Sequence, residues 1–115
     1  MFGGKVIVGD GLGKTLGYPT ANLDTTRQIL SLAPGVYVAK AILDKQEYQA
    51  ALAIQAEPWK VEVNLLDYVG SDFYGAWLKV EPLERVGAME KIVSLEALKE
   101  KIARDIAIIK TKFVD

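Results

Sequence analysis

From Lys5 to Glu81 the chain is a succession of short, alternating apolar runs broken by turn residues, and after Ser94 the apolar period changes to that of a helix. Runs this short cannot stand alone; they must pair, and brief connections between them favour antiparallel neighbours. Candidate strands are residues 5–8, Thr20–Leu23, Val36–Leu43, Tyr48–Ile54, Val61–Tyr68 and Ala76–Glu81. Turns fall at Asp24–Thr26, Pro34–Gly35, Asp44–Glu47, Glu57–Lys60 and Gly70–Asp72, while residues 27–33 read equally as loop or a single helical turn. Pro82 has no N–H to give a ladder, so it fits an edge position or a bulge. Such a pattern predicts a small antiparallel barrel or sandwich.

The last segment predicts one helix. Ser94 is placed to cap it, Glu96 suits its first turn, and Leu95, Leu98, Ile102, Ile106 and Ile109 make one apolar stripe. Lys110 and Lys112 suit the C-terminal end, and the stripe is expected to pack on the barrel. With 115 residues and no linker, repeat or low-complexity segment, residues 1–115 are expected to form a single domain.

Composition narrows the chemistry. Within the 115 residues there is no cysteine and no histidine, which removes thiolate nucleophiles, Ser-His-Asp chemistry and His- or Cys-ligated metals. Catalysis must rest on carboxylates, hydroxyls, lysine or a metal held by oxygen. A formal charge of −1 argues against a nucleic-acid surface. No signal-peptide pattern or membrane-length apolar run is present, so the expected compartment is the cytoplasm, with no membrane partner.

Gly9–Asn22 is where glycines crowd: Gly9, Gly11, Gly13 and Gly17, with Lys14, Pro19, Thr20 and Asn22. Glycine lets backbone N–H groups approach an anion, so the loop could cradle phosphate. It is not a P-loop, because Val8 stands where that motif needs glycine and Pro19 prevents a helix from opening. Nor does it fit G-x-G-x-x-G, since Lys14 and Leu16 occupy the third-glycine positions. If it binds phosphate, it does so between strands.

Read alone, the polar residues keep two readings each. Thr20 and Asn22, two apart in an extended segment, share a face and could offer two oxygens to a hard cation, or they could satisfy a turn. Gly9 and Lys14 could meet phosphates, or form a tight turn with a solvated lysine. Glu62 could be a base, or the solvent side of a strand whose Val61, Val63 and Leu65 face inward and whose Glu62, Asn64 and Leu66 face outward. Trp59 and Trp77 read as core aromatics or as a ring platform and carry no assignment.

Lys5-Val6-Ile7-Val8-Gly9-Asp10-Gly11 followed by Leu16-Gly17-Tyr18-Pro19-Thr20-Ala21-Asn22 resembles the opening of riboflavin kinases, whose signature is Pro-Thr-Ala-Asn. Val61–Asp67 with Phe73-Tyr74-Gly75 resembles the second block of that family, and Ser94–Leu98 the start of its last helix. The matches run in family order along nearly the whole chain. The resemblance implies a six-stranded antiparallel Greek-key barrel with a C-terminal α-helix packed on it. It implies Thr20 and Asn22 as Mg²⁺ ligands, Glu62 as the catalytic base, and Gly9, Lys14, Thr20, Leu65, Asp67 and Tyr74 on the nucleotide. By position, Gly87, Glu90 and Ile92 would meet the flavin. Relatives carry arginine, phenylalanine and aspartate where this chain has Gly87, Ile92 and Val93, and a longer segment where it has 54–60. The His-x-Gly-His motif of bifunctional bacterial relatives does not occur in these residues.

The function so implied is riboflavin kinase: ATP and riboflavin in, ADP and FMN out, with Mg²⁺, in a monomer. The altered flap motivates an alternative, a non-catalytic flavin- or nucleotide-binding module on the same barrel. A protein-interaction barrel is a third reading, which leaves the Gly9–Asn22 composition unexplained. The kinase reading requires the glycine turn, the Thr20 and Asn22 oxygens and the Glu62 carboxylate to converge on one cavity at an end of the barrel.

Overall fold

The structure, a computed structural model, describes residues 1–7, 20–25, 31–68, 73–89 and 94–113, with Leu95 by its backbone alone. The strands are β1 Phe2–Ile7, β2 Thr20–Asp24, β3 Gly35–Leu43, β4 Gln46–Gln55, β5 Lys60–Leu65 and β6 Trp77–Gly87. Helix α1, Leu95–Thr111, follows. The strands close into an antiparallel barrel in the order β1-β2-β5-β4-β3-β6. Hairpin-connected β3, β4 and β5 followed by a β6 that returns beside β3 is a Greek key.

Side-chain parity sets inside and outside. Ala21 and Leu23, Val61, Val63 and Leu65, Ala50, Leu52 and Ile54, Ala39 and Ala41, Leu78 and Val80 all point into one buried core. Intervening residues form the outer wall. The β3–β4 hairpin is tighter than expected, because Asp44 and Lys45 both take positive φ (50° and 68°), which makes the two-residue turn that matches strand twist. At the end of the barrel near Thr20, Tyr48, Tyr68 and Phe73 stack edge to face at 5.6 and 5.2 Å and cover the core.

Strand β6 runs well past Glu81. Residues 77–80 pair with β1, Lys79 and Val80 also with β3, and beyond Val80 the ladder partners among the described residues all come from β3. The register with β3 shifts between Val38 and Ala39, opposite Glu84 and Pro82. Pro82 therefore sits at a bulge and, among the described residues, on a side of β6 with no ladder partner, either of which suits a strand proline. The predicted turn at Gly70–Asp72 and most of segment 27–33 lie outside the described residues.

Ser94 caps α1 as anticipated, its Oγ accepting from Ala97 N at 3.1 Å, with Glu96 in the first turn and Lys110 in the last. The C-terminal half of the stripe, Ile106 and Ile109 with Phe113, docks on Val36, Val38 and Leu66 on the outer wall of the barrel. Leu98 and Ile102 are half-buried. Ser94→Ala should lower unfolding free energy by about 1 kcal/mol, read as a shift in denaturant midpoint at unchanged slope. Among the described residues no helix is long and apolar enough to cross a membrane.

Candidate active site

Two strands build the site. β2 and β5 pair antiparallel with Thr20 opposite Asn64, Ala21 opposite Val63 and Asn22 opposite Glu62. Residues directly opposite in such a pair share a face, with Cα atoms about 4.5–5.5 Å apart. Ala21 and Val63 lie in the core, so Thr20, Asn22, Glu62 and Asn64 stand together on the outer wall. The arrangement follows from alternation once register is set: the apolar members of both strands must face inward.

Thr20, Asn22 and Glu62 thus meet on the wall of the barrel rather than at its mouth, while the glycine turn expected to join them lies outside the described residues. Thr20, Asn22 and Glu62 are each partly buried, and Asn64 is only 8% exposed. Lys60, two residues before Glu62 on the same face, places Nζ 2.7 Å from Glu62 Oε1. An open cavity of about 290 Å³ adjoins, lined by Asn22, Asp24, Thr25, Trp59 and Lys60 among others. Trp59 is fixed there by its indole N–H, which donates to the Thr25 carbonyl at 2.6 Å. Alternation from Glu62 is the signal that finds Lys60 and Asn64, which sequence reasoning did not assign.

The same row of partners continues from Glu62 to Ala53, Val36 and Gly87. Gly87 is consequently three strands from the carboxylate, roughly 14 Å around the wall at normal strand spacing. A Cβ built on Gly87 would lie 4.0 Å from Asp105 Oδ1 of α1. Tyr74, half exposed, sits in a turn whose Gly75 N–H donates to the Val6 carbonyl at 2.7 Å, one strand from Leu23 and Asn22.

Other assignments fare differently. Leu65 ends β5 with its side chain fully buried in the core, because it has the parity of Val61 and Val63; only its backbone can meet a ligand. Asp67, at positive φ (59°), is largely exposed and lies 3.9 Å from Lys110 Nζ of α1. Trp77 is 61% exposed rather than core, since Leu78 and Val80 take the inward positions of β6; its indole lies against Gly3, where an added Cβ would meet Nε1 at 2.6 Å. Gly9, Lys14, Glu90 and Ile92 lie outside the described residues, as does Val93.

The donors fit one kind of metal. Among the described residues no three acidic, histidine or cysteine side chains gather. A hydroxyl and an amide oxygen are hard, neutral ligands, too few for a cage, and suit a cation that arrives partly coordinated by substrate phosphates.

A family model described as riboflavin kinase matches residues 1–113. The chain is 36% identical over 109 residues to a bifunctional riboflavin kinase/FMN adenylyltransferase of Escherichia coli, aligning 89% of this chain with 34% of that protein. It spans about a third of the length of such curated relatives. Among solved structures, riboflavin kinase from Trypanosoma brucei superposes with a TM-score of 0.69 at 25% identity, covering 96% of this chain and 74% of that one. A Streptococcus pneumoniae structure described as a macrolide-efflux protein gives 0.79 at 29% identity, covering 94% of this chain and 37% of that one.

Proposed function

This chain belongs to the riboflavin kinase family, and on that premise we propose that it transfers the γ-phosphoryl group of ATP to the ribityl 5′-hydroxyl of riboflavin, giving FMN and ADP. The observation that carries the reading is the pairing of Asn22 opposite Glu62, with Thr20 on the same face. The base and one oxygen donor then lie directly opposite each other, with the second donor, Thr20, diagonal to the base at about 7–8 Å.

The acceptor oxygen attacks the γ-phosphorus, a new O–P bond forms, and the bond from phosphorus to the β,γ-bridging oxygen breaks, releasing ADP. The proton of the hydroxyl passes to Glu62, whose carboxylate must lie within hydrogen-bond reach of it. Thr20 and Asn22 would hold Mg²⁺, which when bound neutralises charge on the β- and γ-phosphates. Gly9 and Lys14 are proposed to meet the same phosphates, and Asp67, Tyr74 and the Leu65 backbone the rest of the nucleotide. Gly87, Glu90 and Ile92 are proposed on the flavin side.

Incubation with riboflavin and Mg-ATP, followed by chromatography, should yield FMN and ADP in equal amounts. Flavin binding without product would favour the non-catalytic module instead. Asn22→Ala removes one donor to a charged centre and should lower kcat/KM for Mg-ATP by about 10- to 100-fold. Riboflavin affinity, followed by flavin fluorescence in the absence of nucleotide, should stay unchanged in that variant.

A further inference from the structure

We propose that Lys60 is a positioning residue for the catalytic base, an inference that rests on the assignment of Glu62 above. Residues two apart on a strand point the same way, with Cα atoms about 6.6 Å apart, so the lysine stem can run along β5 and bring its ammonium to the carboxylate. It does so: Nζ lies 2.7 Å from Oε1, the length of a charge-assisted hydrogen bond. The side chains are 24% and 28% exposed, so the pair is shielded more than a surface ion pair and less than a core one.

The consequence is a division of labour between the two carboxylate oxygens. Glu62 stands on an outer wall, and the neighbours on its face, Asn22 on β2 and Ala53 on β4, are small. Lys60 restricts its rotamers electrostatically. With Oε1 held, Oε2 is left to receive the proton of the acceptor hydroxyl, and the carboxylate plane stays fixed relative to Asn22. A general base works only when the near-attack geometry is already formed, and displacements of about 1 Å can cost up to about 100-fold in rate. Lys60 also borders the cavity beside Asn22, so its stem limits where an acceptor can lie.

The test is a double-mutant cycle on the full chain. Lys60→Met keeps the apolar stem and removes the charge. It should lower kcat about tenfold, with KM for Mg-ATP and for riboflavin within about twofold of wild type. Lys60→Arg should restore turnover to within about threefold. In a Glu62→Gln background, Lys60→Met should have no further effect, because the lysine acts through the carboxylate. Melting should move by only a few degrees, since partly exposed ion pairs contribute about 0–1 kcal/mol. Wild-type kcat in Lys60→Met, an effect confined to KM, or an equal effect of Lys60→Met with and without Glu62 overturns the inference. In each case the base assignment stands if Glu62→Gln alone is inactive. If Glu62→Gln is active, both fall together.

Discussion

Glu62→Gln should lower kcat by about 10²- to 10⁴-fold, the range supplied by a positioned general base. The amide has the shape of the carboxylate but cannot take up the proton of the attacking hydroxyl. Folding should survive the change. Glu62 is on the outer wall, where no core contact depends on it, and its ion pair with Lys60 contributes at most about 1 kcal/mol. Asn22 and Thr20 keep their places, because their strand is anchored by Ala21 and Leu23 in the core. KM for Mg-ATP and riboflavin should therefore change little, which separates loss of chemistry from loss of binding. Steady-state FMN formation, with nucleotide affinity measured alongside, checks both halves. Turnover within about tenfold of wild type would remove Glu62 from the role of base.

Leu52→Ala should be the most damaging change of stability, at about 2–5 kcal/mol. Leu52 is fully buried at the middle of β4, opposite Tyr37 on β3 and Val63 on β5. A closed barrel has little room to collapse around the lost atoms, because neighbours on both sides are held by ladders. Against a typical total of about 5–15 kcal/mol the loss is large. It should appear as a drop in Tm of roughly 10–25 °C. Glu47→Ala, on the exposed face of the same strand, should change stability by less than about 0.5 kcal/mol. Equal shifts in the two variants would contradict the placement of the core.

Much of this could be read from residue order. Alternation in Val61–Leu65 separates the inward valines and leucine from Glu62 and Asn64, and the structure keeps that division. Ser94, Glu96 and the spacing of Ile106 and Ile109 identify the helix and its docking face. Pro82 announces a bulge or an edge, and finds both. Other features were not legible. Trp77 carries a core residue's chemistry, yet parity on β6 turns it outward onto Gly3. The inward side chain of Leu65 was legible from alternation, but that its family match to a nucleotide-contacting position leaves only the backbone for a ligand is seen in the folded barrel. The Lys60–Glu62 pair was open to discovery, since i and i+2 share a face, but only coordinates give its length.

The sequence by itself determined which side chains of β5 face inward and where a helix takes over, because those properties depend on neighbours a few residues apart. Tertiary structure alone decided that Asn22 faces Glu62. That pairing joins strands distant in the chain, and its register is set by closing the barrel: a slip of one residue would turn one strand's polar face into the core. Burial of Ala21, Leu23, Val61 and Val63 fixes which faces of β2 and β5 point inward, and the register in which the barrel closes carries the Thr20 and Asn22 oxygens and the Glu62 carboxylate outward side by side.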